Sequence, residues 1–190
     1  MLESLLTEIR QCTVCEPHLP LGANPVIRAH SAAKILIIGQ APGTKVHQTS
    51  IPWNDASGER LRQWLGLDRK AFYCEENIAI MPMGLCYPGK GRSGDLPPRK
   101  ECAPLWHAKV LEQLPNRQLT LLIGQYAQHY YLSDKPSTLT ETVQQWQRWA
   151  PSVLPLPHPS PRNTLWLRNH PWFEQDIVPY LRQRVKQVLT

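Results

Sequence analysis

Apolar residues recur along this chain with two different periods. Leu2, Leu5, Leu6 and Ile9 share one stripe at helical spacing, which predicts a short amphipathic helix over Leu2–Arg10, followed by a loop with Cys12 and Cys15. Lys34-Ile-Leu-Ile-Ile-Gly39 is instead a continuous aliphatic run closed by Gly, the pattern of a central parallel strand buried on both faces. Asn77–Met83, Leu119–Gly124 and Val153–Leu156 predict three more strands. Helical spacing predicts helices at Ser57–Trp64, with Ser57 as the cap, and at Arg99–Leu114, Tyr126–Leu132, Thr138–Trp149 and about Trp172–Leu189. Thr44–Ala56, Pro88–Pro98 and Pro157–Asn163 read as loops.

Strands alternating with helices predict an α/β sandwich around a mostly parallel sheet. In such sheets ligands bind beyond the carboxyl ends of the strands. Three distinctive segments fall there: Gly39-Gln-Ala-Pro-Gly43, Met83–Cys86 and His158-Pro-Ser-Pro-Arg-Asn163.

The 190 residues fit one domain, 1–190, with the helix and Cys-x-x-Cys segment of residues 1–30 packed onto it. With 42% hydrophobic and 19% charged residues the chain is globular rather than disordered. No apolar run nears the roughly 18 residues of a membrane span. Acids come early in MLESLLTEIRQC, unlike a signal peptide, so the expectation is a cytoplasmic protein. A monomer is the expected oligomeric state. Five cysteines in that setting read as thiols, metal ligands or catalytic groups, not as a disulfide framework. The net charge of +6 favours an acidic partner, nucleic acid being the commonest. The 19 prolines cluster around 82–104 and 151–161, which marks rigid loops.

The two glycines of Gly39–Gly43 allow a tight turn and close approach of a ligand, but the turn is neither G-x-G-x-x-G nor a lysine-bearing phosphate loop. Taken alone it also fits a purely structural connection. In His158–Asn163 two prolines fix the backbone around Ser160, and a His, a hydroxyl, a guanidinium and an amide follow in rigid order, which suits contact with a nucleic-acid backbone. Cys12 and Cys15 form Cys-x-x-Cys, and Cys86 and Cys102 follow with 15 residues between them. Four cysteines can hold a 4Fe–4S cluster or zinc, with His18 able to replace one at zinc; the spacing does not choose. Cys74 stands apart as an ordinary thiol. Most of the seven tryptophans sit at helical spacing as core, whereas Trp53 lies in a loop near the strand ends, where a ring can stack on a base. Lys90, Arg92, Arg99 and Lys100 form a basic cluster able to track phosphates or simply to face solvent.

Together these segments resemble the uracil-DNA glycosylase superfamily. GQAPG is similar to its first motif and HPSPRN to its second. HPSPRN and the stretch His47-Gln-Thr-Ser-Ile-Pro-Trp-Asn-Asp55 resemble the single-strand-selective monofunctional members, while the cysteine layout resembles the family 4 enzymes, which hold a 4Fe–4S cluster. The resemblance implies a three-layer α/β/α sandwich with a central, mostly parallel four-stranded sheet. It implies DNA as the partner, and an enzyme that flips out a deaminated or damaged base and hydrolyses its N-glycosidic bond. A neutral His158 would donate to the departing base, as an oxyanion-hole donor does. Gln40, Ala41, Trp53 and Met83 would form the base pocket, with Trp53 stacking. Ser160, Arg162, Asn163, Lys90 and Arg92 would contact DNA, with Arg162 as a wedge in the base stack. Cys12, Cys15, Cys86 and Cys102 would hold a structural 4Fe–4S cluster, with zinc as the alternative. Neither motif contains Lys, so a monofunctional enzyme without a Schiff-base step is expected.

Two departures bear on the chemistry. Many members carry a carboxylate or Asn in or just after the first motif to position water. Here Gln40-Ala41 and Thr44-Lys-Val-His47 contain no acid, which leaves His47 as the candidate general base. Many members also read uracil with an Asn at the end of the second strand. Ile80-Met-Pro-Met-Gly84 has none, and a site without that amide discriminates less between bases. The resemblance puts uracil first, and the missing amide sets hypoxanthine and xanthine beside it as alternatives. Two competing readings remain: a non-catalytic DNA- or damage-binding protein on the same fold, and a redox iron–sulfur protein that leaves HPSPRN unexplained.

Overall fold

The computed structural model describes residues 1–190. The amphipathic start forms α1 (Leu2–Arg10), burying Leu2, Leu6 and Ile9 from the predicted stripe. β1 (Ile35–Ile38) is buried at every position. α2 (Thr44–Thr49), α3 (Ala56–Leu65), α4 (Arg69–Phe72) and β2 (Ile78–Ile80) follow. A small antiparallel hairpin pairs β3 (Lys90–Gly91) with β4 (Gly94–Asp95). A π-helical turn (Ala103–His107) then runs into α5 (Ala108–Glu112). Next come β5 (Leu119–Ile123), α6 (Gln125–Tyr131), α7 (Leu139–Gln144), β6 (Val153–Leu156) and α8 (Thr164–Asn169). A second π-helical turn (Phe173–Ile177) leads into α9 (Val178–Leu189).

β2, β1, β5 and β6 lie in that order in one sheet, and every neighbouring pair is parallel. Successive residues of a strand face opposite sides. Ile35 and Ile37 therefore enter one core with Leu61 and Trp64 of α3, Phe173 of the second π-helical turn and Leu181 of α9. Leu36 and Ile38 enter another with Leu6 and Ile9 of α1 and Val110 of α5. This is the expected three-layer α/β/α sandwich, and helices on both faces explain why β1 reads as unbroken aliphatic sequence. The chain passes from β1 to β2 on one side and returns to β5 on the other. The order thus reverses beside β1, where an open α/β sheet leaves a crevice.

Local expectations change in several places. The 44–56 loop begins with α2, whose single buried residue, Val46, makes no apolar stripe to announce a helix. α3 is capped by Asp55 rather than Ser57: Asp55 Oδ1 accepts the Gly58 N–H at 2.8 Å. The Asn77–Met83 strand narrows to Ile78–Ile80, since Pro82 has no N–H to donate. The N–H groups of Met81 and Met83 nevertheless reach the Ile37 and Gly39 carbonyls, each at 2.9 Å. The Pro88–Pro98 loop contains the β3–β4 hairpin, and the helix expected from Arg99 starts at Cys102. The helix expected over Thr138–Trp149 stops at Gln144 and gives way to a 3-10 turn, Trp146–Arg148.

Candidate active site

A cleft of about 390 Å³ opens at the carboxyl ends of β1 and β6. Its walls come from the turn after β1, the loop before α3, the β3–β4 hairpin and the loop after β6. Gly124 N–H bonds the Leu156 carbonyl at 2.9 Å, and the buried Gln128 amide donates to the carbonyls of Leu122 and Leu156 at 3.1 and 2.9 Å. The ends of β5 and β6 are thus tied together where His158 emerges.

His158 is held in one tautomer. Its Nδ1 accepts the Ser160 N–H at 3.1 Å, so in the neutral ring the proton sits on Nε2. Burial lowers its pKa below the ordinary histidine value, only partly opposed by the charge of Asp55. The neutral imidazole is therefore the resident form at pH 7, with an N–H to give. Asn163 Nδ2 donates to the His158 carbonyl at 2.8 Å, and Arg60 Nη1 to the Ser160 carbonyl at 3.2 Å. Ser160 Oγ accepts the Arg162 N–H at 3.2 Å, capping the turn that follows.

Trp53 lies beside His158, ring centroids 5.6 Å apart and planes tilted by 35°. Its backbone takes a φ of 58°, a left-handed conformation costly for a bulky residue. The neighbours enforce it. Arg62, buried at 5% exposure with no acid partnering it, donates to the Trp53 carbonyl at 3.1 Å, and Tyr73 OH donates to the Pro52 carbonyl at 2.7 Å. Close approach requires glycine twice here. A Cβ on Gly58 would lie 1.7 Å from the Trp53 carbonyl oxygen, and one on Gly39 2.8 Å from the Trp53 ring.

The hairpin is joined to the His158 loop by Arg162, whose Nη1 donates to the Ser93 carbonyl. Two carboxylates, Asp55 and Asp95, line the cleft, and neither was a candidate from the sequence. Asp55 hides there as a helix cap, and Asp95 in a Pro/Gly-rich stretch without periodicity.

The model of the uracil DNA glycosylase superfamily matches residues 28–182, which include the first turn, the hairpin and the His158 loop. The chain belongs to this superfamily. It is also similar to the type-4 uracil-DNA glycosylase of Thermotoga maritima, 22% identical over 162 residues, which are 84% of this chain and 82% of that protein.

Against this superfamily frame, most of the expected site residues come together. Gln40, Ala41, Trp53, Lys90, His158, Ser160, Arg162 and Asn163 all line the cleft. Arg92 is exposed at the hairpin turn. Met83 does not line the cleft; it is buried in the core on the α1 side of the sheet. His47 does not line it either. α2 turns Val46 to the cleft and sets His47 next to Tyr87, ring centroids 6.1 Å apart, with its buried Nδ1 unpartnered. The structure therefore gives the candidate general base no contact with the cleft. Arg162, the expected wedge, is engaged with the hairpin.

Cys12, Cys15, Cys86 and Cys102 line one separate small cavity of about 10 Å³, although no three His, Cys, Asp or Glu side chains stand at metal-ligand spacing. Burial pushes the Cys15 and Cys86 thiols up to about 11. The Leu85 N–H points at Cys102 Sγ, 3.5 Å away, and Arg99 lines the same cavity beside Glu101. In donor type alone, four thiols with an N–H donor and a guanidinium near them are the groups that a soft metal centre takes. His18 is exposed and absent from this cavity, and Cys74 lies elsewhere, with Asn77 Nδ2 3.5 Å from its sulfur.

Proposed function

We propose that this chain is a monofunctional DNA glycosylase that draws a deaminated base into the cleft and hydrolyses its N-glycosidic bond. Uracil is the first substrate, with hypoxanthine or xanthine as the alternatives. The observation that carries this reading is the tautomer of His158, a neutral ring with its Nε2 proton free, fixed by the Ser160 N–H in the wall of the cleft.

As the glycosidic bond breaks, its electron pair leaves with the base. The Nε2–H of His158 donates to the base oxygen on which that charge develops, and removing one such donor typically costs about 10²–10³ in rate. Trp53 offers its ring for stacking, which helps offset the few kcal/mol of unstacking. Asn163 acts as a positioning residue through the His158 carbonyl. Lys90, Arg92, Ser160 and Arg162 supply cations and a hydroxyl along the mouth for phosphates. Lys90 is the one lysine in the cleft wall and sits exposed across the hairpin from Asp95, so a glycosylase without a lyase step is expected. Cys12, Cys15, Cys86 and Cys102 would hold a 4Fe–4S cluster, or zinc, which would fasten the N-terminal segment to the helix after the hairpin and stay outside the reaction.

The test is an oligonucleotide panel carrying uracil, hypoxanthine, xanthine or an unmodified base, single- and double-stranded, with alkali to reveal abasic sites. Release of one base, slowed about 10²–10³-fold in His158→Ala, is the expected result. Salt-dependent DNA binding with no release from any oligonucleotide would put the non-catalytic DNA-binding reading in its place.

A further inference from the structure

We propose that Asp95, delivered by the β3–β4 hairpin, is the carboxylate that directs the attacking water in this cleft. The inference rests on the glycosylase reading above. Hydrolysis needs a group to take a proton from water and negative charge near a sugar that turns cationic. The Gly39–Gly43 turn has no acid, and His47 lies off the cleft. Of the two carboxylates in the wall, Asp55 is engaged at Oδ1 as the cap of α3. Asp95 accepts no hydrogen bond and forms no ion pair within the protein.

The geometry of the hairpin aims Asp95. A Cβ on Gly43 would lie 3.7 Å from Asp95 Oδ2, so the carboxylate faces the backbone of the turn after β1, where the two glycines leave room for a ligand. Lys90 pairs with Asp95 and Gly91 with Gly94 across the hairpin. Gly94 takes a φ of 125°, and a Cβ there would meet Arg162 Nη1 at 2.5 Å. Glycine at that position therefore lets Arg162 reach the Ser93 carbonyl. Arg162 stands four residues after His158, so one contact locks the loop bearing the donor for the base to the hairpin bearing the acceptor for water. Desolvation raises the Asp95 carboxyl against the opposing pull of Arg162 and Lys90, which makes it a better proton acceptor. The residue remains open to solvent, so water reaches it.

In the step, the water oxygen bonds to C1′ while the C1′–N bond breaks and its electron pair departs with the base. The proton lost by water goes to Asp95, and the base anion accepts the hydrogen bond from His158 Nε2. Asp95 then returns its proton to solvent.

The experiment measures single-turnover excision and DNA affinity separately, on the full chain with the base the panel identifies. Asp95→Asn is expected to slow excision by about 10²-fold or more, with DNA affinity unchanged or tighter because a negative charge leaves the DNA face. Asp95→Glu, which restores the carboxylate, is expected to recover at least about tenfold of that loss. Asp95→Asn within about threefold of wild type overturns the proposal. So does a rate loss that only follows lost affinity, which would make the hairpin a scaffold, or a loss found in Asp55→Asn and not in Asp95→Asn. A wild type that releases no base from any oligonucleotide is a separate result: it refutes the glycosylase reading and the inference with it.

Discussion

His107 offers the sharpest energetic test, because the structure fixes both of its ring nitrogens. The side chain is 1% exposed in the helix that follows Cys102. Nε2 lies 3.0 Å from the Pro82 carbonyl, which can only accept, so Nε2 carries the proton and Nδ1 accepts from Tyr131 OH at 2.6 Å. A second proton would have to enter a buried site whose remaining nitrogen is already occupied. Burial accordingly lowers the His107 pKa from 6.5 to about 4, partly opposed by the Pro82 bond. The folded pKa lies below the unfolded one, so the unfolded chain binds protons first as pH falls. The contribution is essentially complete above about pH 7 and is lost progressively as pH falls through 6.5 toward 4. By pH 5 linkage gives about 2 kcal/mol from this residue, about 1 M in urea midpoint at a slope of about 2 kcal/mol per M. The assay is urea unfolding of the full chain at pH 7, 6 and 5, with His107→Phe in parallel. The variant strands the Pro82 carbonyl and the Tyr131 hydroxyl, so it starts about 1–3 kcal/mol less stable at pH 7. Its midpoint should then fall with pH by about 1 M less than that of the wild type. Equal falls for the two proteins would refute the reasoning. His158, also lowered by burial, shifts in the same direction and contributes to both.

Two further perturbations address the cleft and the cysteines. Arg62→Met removes the charged donor to the Trp53 carbonyl, at a cost of about 1.5–3 kcal/mol; a lower Tm and a lower kcat/KM on the preferred base are expected, and an unchanged kcat/KM would show that Trp53 holds its place without it. Cys86→Ser should abolish the iron and sulfide content, or the zinc content, of the purified chain while the other thiols remain, and full metal retention would remove Cys86 from the ligand set.

The sequence by itself determined the layers. An unbroken aliphatic run such as Ile35–Ile38 has one economical home, a parallel strand covered on both faces, and this run with three further short apolar segments alternating with helical stripes leaves little besides an α/β sandwich. It also marked the turn after β1, the loop after β6 and Trp53, because glycines, prolines and an aromatic outside any periodic pattern stand out against the core code. Short elements without a stripe stayed invisible: α2 buries only Val46, and the β3–β4 hairpin is too small to carry an alternation.

What only the tertiary structure decided were facts about distance between segments far apart in the chain. His47 looked like the base in the absence of an acid, yet one residue of helical rotation puts Val46 in the cleft and His47 against Tyr87. Nothing in the sequence sets Arg62 apart from the other cations of α3, yet it is the buried donor that holds Trp53. Asp95 became a candidate only because Arg162, 67 positions later in the sequence, fastens its hairpin beside the turn after β1. Periodicity reports whether a side chain faces core or solvent. Which partner it meets there depends on how the layers close, and that information resides in the folded chain.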